Sequence, residues 1–462
     1  MHRRRFLAAA LAALPSGCAV FRQEEPLLRI ATFQADVTPP LGAPLCHGSV
    51  APVKRIVDPL SARGIILLTD QAPIVLCAVD FVAISNEAHD AWRQALAEAV
   101  GTTPERVSVH ALHQHDAPGI DFSTEAILAE HGLSGAMFDP DVARKAIADT
   151  AKAAAEALHT THRVTHLGCG MGTVEKVASN RRVLGPDGHC IMVRMSHCSS
   201  AKARAAPEGI IDPTVRLLSF WDGERPLVSI TYYATHPQSY YGKGGVSYDF
   251  VGMARAAREQ AVPGAMHIHF DGAGGDIAAG KYNDGSKKNR PVLAARLAKG
   301  MEAAWDAQTK TPIGASDVGW SVVPVALPVR KSIVESKLLR TLRNRKANVR
   351  HRIWDARQLA WLRRMRSGHK IELGCLRLGQ ARVLHMPGEL CIGYQLAAQA
   401  MRPDLFVCMA AYADDGMAYI CLKDAYGKGG YETGRVSRVA PEVEDVLMPA
   451  MRKMLGAEQQ GK

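Results

Sequence analysis

Two histidines, His113 and His115, stand two residues apart at the end of an apolar, β-prone run that closes on Pro118 and Gly119. In a β-strand, residues i and i+2 face the same side, roughly 7 Å apart. Imidazoles aimed into one space can act as metal ligands and as proton carriers. The spacing therefore predicts one metal ligand with a proton carrier beside it.

Two further residues of suitable type, His236 and Glu389, follow comparable apolar runs. In layered α/β folds functional groups collect beyond the carboxyl ends of strands, so ligands that are distant in sequence can converge. Two histidines and a carboxylate are the usual protein ligands of a catalytic zinc site. Spacing alone leaves a hydrogen-bonded structural role open for His113. A second pair of this kind, His267 and His269, is expected to consist of packed strand residues.

The elements that must position these residues alternate between β-prone apolar runs and stretches of helical periodicity. This alternation indicates an α/β fold, a layered mixed β-sheet with flanking helices. The predicted strands are 28–33, 64–68, 73–79, 107–113, 215–221, 227–235, 265–270, 373–377, 381–386 and 405–411, and the predicted helices are 85–100, 139–158, 250–262, 291–308, 390–400 and 441–455. No repeat or low-complexity linker interrupts them, so residues 26–462 are expected to form one catalytic domain.

The net charge of +11 is concentrated in one segment. Residues 330–370 hold fourteen Lys and Arg against two acidic residues, with Trp354 and Trp361 among the apolar positions between them. This pattern predicts one or two basic amphipathic helices in a solvated insertion. Contact with an anionic surface or polymer, including peripheral membrane contact, is the alternative. No nucleic-acid-binding motif accompanies the charge, so we expect no nucleic-acid partner. Oligomeric state stays open.

Residues 1–25 begin with a run of arginines and continue into an Ala/Leu-rich stretch, which is typical of an export signal of the twin-arginine kind. We therefore expect a periplasmic or envelope-associated protein. Cys18 is a candidate for lipidation. The ten cysteines show no compact disulfide framework, so few or no disulfides are predicted. Four cysteines in apolar runs are expected to be buried thiols: Cys77, Cys375, Cys391 and Cys408.

Several short blocks, taken in order, resemble the neutral, non-lysosomal ceramidase family. The blocks are Leu112-His-Gln-His-Asp-Ala-Pro-Gly119, Val177-Ala-Ser-Asn-Arg-Arg182, Ala234-Thr-His-Pro237, Gly272-Ala-Gly-Gly-Asp276, Met386-Pro-Gly-Glu389, and a tyrosine-rich stretch in which Tyr419 and Tyr431 lie twelve residues apart. They span the chain from about residue 29 onward, and their common order is far more specific than any single block. The resemblance is to a divergent member that has the family's N-terminal catalytic domain only.

The resemblance implies a role for each of seven residues. A buried Zn²⁺ would be held by His113, His236, Glu389 and Tyr419. His115 would act as the general base that takes a proton from the attacking water and later gives it to the leaving amine. Tyr431 would donate a hydrogen bond to the developing oxyanion, and Arg181 would bind substrate oxygen. Each has a structural alternative: half-buried aromatics for the tyrosines, an ion pair for Arg181 and helix capping for Glu389.

The chain also departs from the family pattern. Two residues after Asp276 the family has a serine, where this chain has Ala278. A serine acyl-enzyme at that position is therefore excluded. The loss of this hydroxyl also puts ceramide as the substrate in doubt. The sequence ends soon after the tyrosine block, and no C-terminal immunoglobulin-like domain is expected. These features predict an exported zinc-dependent hydrolase of an amide bond in an N-acyl lipid or related small N-acyl compound. The alternatives are a zinc esterase and a catalytically silent protein that binds envelope glycans or lipids.

Overall fold

The computed structural model describes residues 27–457. The predicted export signal and Cys18 lie outside the described residues, so both stay predictions. Across the described part of the chain, no helix combines the length and apolar character needed to cross a membrane.

Three large β-sheets form the framework. In spatial order, the first contains Val107–Ala111, Ile74–Val79, Ser61–Leu68, Arg29–Asp36 and His162–Arg163; the second Met266–Asp271, Arg225–Tyr233, Thr214–Asp222, His166–Thr173 and Thr309–Pro312; the third Val318–Val325, Ile371–Leu378, Ala381–His385 and Phe406–Ala410. Short two-stranded pairs join Ser179–Asn180 with Ile277–Ala278, Arg182–Leu184 with Cys190–Val193, Arg55–Ile56 with Gly245–Val246, Ala83–Ile84 with Gly119–Ile120, and Glu389–Leu390 with Tyr419–Ile420.

Helices flank the sheets. Within the described residues they are α1 Glu87–Val100, α2 Phe122–Glu130, α3 Pro140–Ala157, α4 Ala201–Ala205, α5 Asp249–Ala261, α6 Asn289–Asp306, α7 Glu335–Arg343, α8 Val349–Arg366, α9 Ile392–Met401 and α10 Val443–Leu455. The predicted fold class, a layered mixed-sheet α/β fold with flanking helices, is confirmed. The described residues after Tyr431 contain α10 and no immunoglobulin-like domain.

Each large sheet contains one parallel strand pair, and these pairs explain how distant residues meet. The pairs are Ile74–Val79 with Val107–Ala111, Arg225–Tyr233 with Met266–Asp271, and Ala381–His385 with Phe406–Ala410. His113, His236 and Glu389 each follow within a few residues the carboxyl end of a strand from a different pair. The three sheets therefore direct one candidate ligand each toward a common region.

The prediction of a solvated basic insertion at 330–370 is wrong for α8. Two helices form there, as expected, but nine residues of α8 are buried, including Trp361, which is 0% exposed. The buried Arg352 donates hydrogen bonds to the carbonyls of Leu342 and His131. Arg352 and Arg364 thus satisfy backbone carbonyls and a carboxylate of neighbouring elements, and this allows a strongly basic helix to pack into the core.

One predicted thiol is also corrected. Cys391 forms a disulfide with Cys421, while Cys77, Cys375 and Cys408 are buried free cysteines as expected. The bonded residues follow the parallel pair Glu389–Leu390 and Tyr419–Ile420, in which Glu389 lies opposite Tyr419. Apolar surroundings do not distinguish a buried thiol from a buried half-cystine, so the sequence around Cys391 could not reveal the bond.

Candidate metal centre

Three ligand atoms converge where the three sheets meet. One ligand atom each from His113, His236 and Glu389 lies within 4.8 Å of the other two, and all three residues are buried. The Oε2 atom of Glu389 is 3.3 Å from Nε2 of His113 and 3.0 Å from Nε2 of His236. Within the described residues this is the one His/Cys/Asp/Glu group close enough to hold a metal ion.

Hydrogen bonds on the far side of each imidazole fix which nitrogen faces the centre. Nδ1 of His113 donates to the carbonyl of Val82 at 2.7 Å, and Nδ1 of His236 donates to the carbonyl of Gly274 at 2.6 Å. In a neutral imidazole Nε2 then carries the lone pair and faces the centre, the arrangement that metal-binding histidines have.

Electrostatics favour neutral His236 and ionised Glu389. Burial, followed by the charge of Arg181, lowers the pKa of His236 to about 4. The pKa of Glu389 is held well below its usual range by His113 and His236, which outweigh the opposing effect of burial. The charge of Glu389 in turn outweighs burial and raises the pKa of His113, so without a metal a proton on His113 balances the carboxylate. A divalent cation bound between these groups would replace that proton. The donor set therefore fits a divalent metal of the zinc type.

Tyr419 supplies a fourth oxygen beside the cluster. Its hydroxyl is 3.1 Å from Nε2 of His236 and accepts a hydrogen bond of 3.1 Å from Nη1 of Arg181. Burial raises the pKa of Tyr419 well above its ordinary value, so without a cation the phenol stays protonated. Because an adjacent dication favours phenolate, Tyr419 is placed to join a bound metal as a ligand.

Arg181 lies directly behind the cluster, 1% exposed. Its Nε atom is 3.2 Å from Oε1 of Glu432, and its Nη1 atom is 3.2 Å from Nε2 of His236. The guanidinium carbon also lies 5.0 Å from the ring centre of Tyr431. Arg181 thus takes part in a structural ion pair and also reaches the centre. The structural role and the predicted role in binding substrate oxygen are therefore compatible.

His115 stands on the open side of the cluster. Its Nε2 atom is 3.4 Å from Nε2 of His113 and accepts a hydrogen bond of 2.7 Å from the amide of Gln238. Its Nδ1 atom is 3.6 Å from the sulfur of Cys46. Burial and then the neighbouring histidines lower its pKa well below the ordinary value, so His115 is neutral at neutral pH.

Backbone strain concentrates at this site. Eight non-glycine residues have positive φ within the described chain, and five of them lie in or beside the site: Cys46, His47, His113, Tyr412 and Ala418. Positive φ costs an ordinary residue free energy and persists only where the surrounding structure enforces it. His113, with φ of 55°, is held in this conformation against the ring of Tyr412, whose centre is 4.8 Å away.

A cavity of about 230 Å³ opens onto the cluster. The cavity is lined by His113, His115, Glu389 and Tyr419. Tyr431, which is 40% exposed, also lines it. Burial raises the pKa of Tyr431 to about 12, so its hydroxyl remains a donor. All seven predicted site residues therefore come together around one centre.

The other polar residues singled out in the sequence lie away from the cavity. His267 and His269 are buried in the strand Met266–Asp271, as expected. Asp276 fixes its glycine-rich loop, because its carboxylate accepts hydrogen bonds from the backbone N–H of Ile392 and the amide of Asn180.

Sequence reasoning missed several residues around the centre, among them Gln238, which contacts His115. Of these residues, only Gln238 could have been found from the sequence, because it lies two residues after His236 just as His115 lies two residues after His113. Arg357 on α8 and Arg438 in the C-terminal region also line the cavity. Their positions at the cavity depend on the packing of segments that are distant in sequence, which no local pattern encodes.

Comparison with solved structures finds the same architecture in neutral ceramidase from Pseudomonas aeruginosa, with a TM-score of 0.67 and 15% identity over 94% of this chain and 74% of that one. A ceramidase complexed with C2 aligns with a TM-score of 0.64 and 15% identity, over 93% of this chain and 74% of that one. No protein-family model matches the sequence, and no curated protein matches it either. The resemblance predicted from the motifs is thus confirmed for the fold, which is that of the ceramidases.

Proposed function

We propose that the protein is a zinc-dependent hydrolase that cleaves an amide bond in an N-acyl compound. The observation that carries this proposal is the convergence of His113, His236 and Glu389, whose ligand atoms lie within 4.8 Å of one another. The fold shared with ceramidases agrees with it. His113, His236, Glu389 and Tyr419 would hold the ion. When bound, zinc would supply Lewis-acid polarisation of the carbonyl and lower the pKa of the attacking water.

His115 is our candidate for the proton carrier. Its neutral state suits it to accept the proton of the attacking water at Nε2, where that water would displace the amide of Gln238. As the water oxygen bonds to the carbonyl carbon and the C–N bond breaks, His115 would return the proton to the leaving nitrogen. Before substrate binds, Gln238 orients the ring through its hydrogen bond to Nε2.

Arg181 and Tyr431 are our candidates for stabilising the negative charge that develops on the carbonyl oxygen. Tyr431 keeps its proton and borders the cavity, and Arg181 carries a permanent charge beside the cluster. Donors fixed in a dry site stabilise such charge without reorganising during the reaction.

Two features support a small substrate over ceramide itself. Ala278 stands where the ceramidase family has a serine, and it is fully buried in the short strand Ile277–Ala278. A cavity of about 230 Å³ is also small for a lipid with two chains. We therefore favour a small N-acyl compound or the head portion of an N-acyl lipid. Export to the periplasm or envelope, and peripheral membrane contact through the basic segment or Cys18, belong to the same proposal.

The purified, zinc-loaded protein tests this function against matched amide and ester substrates with the same acyl chain. We expect release of amine with a kcat/KM that His113→Ala and His236→Ala each reduce to background. Turnover of the ester alone would assign the protein as an esterase. Binding without turnover of either bond would favour a silent binding protein on the same fold.

A further inference from the structure

Two arginines in the site cavity differ from the other buried arginines near it. Arg352 donates to two carbonyls, Arg255 forms two hydrogen bonds with Asp80, and Arg290 is 3.0 Å from Asp249. Each of these side chains is satisfied within the fold. Arg438, by contrast, has no ion pair within the described residues, and Arg357 has only a longer contact with Asp415.

Arg438 is the clearer case. It is 1% exposed, and its side chain makes one hydrogen bond, from Nη1 to the carbonyl of Gly416. Its Nε and Nη2 atoms are buried and have no hydrogen-bond partner in the described chain. The guanidinium of Arg438 takes part in no ion pair within residues 27–457. No carboxylate oxygen of these residues therefore lies within 4.0 Å of its nitrogens. Nε and Nη2 occupy one edge of the guanidinium plane and together match two oxygens of a carboxylate or phosphate.

Arg357 extends from α8 into the same cavity and is 8% exposed. Its nearest carboxylate oxygen, Oδ2 of Asp415, is 3.7 Å away, beyond hydrogen-bond distance. Both guanidiniums lie near His47, whose pKa is lowered by burial first and then by these two charges. His47 also lines the cavity, and its Nε2 atom is buried without a partner.

Burying cationic donors that are incompletely paired is costly, and a fold tolerates it where a ligand supplies a further anion. The pKa of Arg438 reflects this cost, since burial and then the charge of Arg357 lower it to about 9. The unpaired donors share one small cavity with His113, Glu389 and Tyr419. A molecule that places its scissile bond at the cluster would present a neighbouring group to the two arginines.

We propose that Arg438 and Arg357, with His47, form an anion-recognition subsite, and that the substrate is an N-acyl compound with an oxyanion near the scissile amide. This inference rests on the proposed function. The shared chemistry is a planar or tetrahedral oxyanion, which a carboxylate or a phosphate ester would supply. Arg438 would bind two of its oxygens through Nε and Nη2, and Arg357 would neutralise charge from the side of α8.

The test compares matched pairs of compounds on the zinc-loaded, full-length protein. N-acetylglycine and its amide form the carboxylate pair, and N-acetyl-O-phosphoethanolamine and N-acetylethanolamine form the phosphate pair. Binding is measured by calorimetry and turnover by amine release. We expect the wild type to prefer one anionic member at least tenfold over its neutral partner. Arg438→Met and Arg357→Met should each reduce that preference by about 10- to 100-fold. The control Arg363→Met, at an exposed position of the same helix, should leave it unchanged.

Stability gives a second readout. Because Arg438 forms no ion pair within the described residues and two of its donors have no partner, Arg438→Met should leave the thermal midpoint of the ligand-free protein unchanged or raised, whereas a structural arginine would lower it. Equal affinity for anionic and neutral members of both pairs would overturn the proposal, as would an anion preference that survives both substitutions. Anion binding without turnover would instead refute the proposed hydrolysis and leave the subsite standing. Turnover without anion preference would refute the subsite and leave the proposed hydrolysis standing.

Discussion

Removal of Arg181 separates its structural role from its role at the centre. Glu432 is 0% exposed, and its Oε1 atom is 3.2 Å from Nε of Arg181, while its other oxygen is 3.9 Å from Arg182. Arg181→Met leaves this buried carboxylate with only the distant Arg182 as partner. Breaking one side of a buried ion pair costs about 3–5 kcal/mol. We therefore expect Arg181→Met to lower the free energy of unfolding of the metal-free protein by about 3 kcal/mol.

Urea denaturation of the metal-free protein measures this loss without the stabilisation that a bound metal adds. The double variant Arg181→Met/Glu432→Met removes both charges and should recover most of the lost stability. Its kcat/KM should stay reduced by about 10²- to 10³-fold, because the donor to substrate oxygen is still missing. A loss below about 1 kcal/mol in the single variant, or full activity in the double variant, would refute this reasoning.

Three other expectations follow from the same contacts. His115→Ala should lower kcat by about 10²- to 10⁴-fold while zinc content stays at one ion per chain. Kinetics and metal analysis of the same preparation measure both quantities. An unchanged kcat would exclude His115 as the base. Replacing Cys391 and Cys421 together by alanine removes the cross-link behind the strands of Glu389 and Tyr419 and should lower the free energy of unfolding by about 2–4 kcal/mol in urea titrations. Trp361→Ala should cost about 3–5 kcal/mol, as for a core residue, whereas a solvated α8 would lose less than about 0.5 kcal/mol.

The three candidate metal ligands were predictable because their signals are local. The spacing of His113 and His115, and the short blocks around His236 and Glu389, carry chemistry that side-chain type and strand geometry alone suggest. The alternation of β-prone and helical stretches predicted the fold class, and the structural comparison confirms both this class and the ordered resemblance to the ceramidase fold. Periodicity similarly located most helices and strands, since alternation between apolar and polar residues is a property of short windows.

The surroundings of the centre were not predictable, for a physical reason. The direction in which α8 faces depends on which carbonyls and carboxylates of distant segments receive its arginines, as with Arg364 and Asp90. Composition suggested a solvated helix, but those distant partners allow α8 to pack inward and bring Arg357 to the cavity. The disulfide of Cys391 and the positive φ of His113 depend on tertiary packing in the same way.

The most direct test of the central proposal is anomalous X-ray diffraction at the zinc absorption edge from crystals of the zinc-loaded protein. We expect one strong anomalous peak at about 2.0–2.2 Å from Nε2 of His113, Nε2 of His236 and an oxygen of Glu389. Glu389→Gln should greatly weaken the peak. A peak elsewhere in the molecule, or none in zinc-loaded crystals, would contradict the assignment of this cluster as a catalytic metal centre.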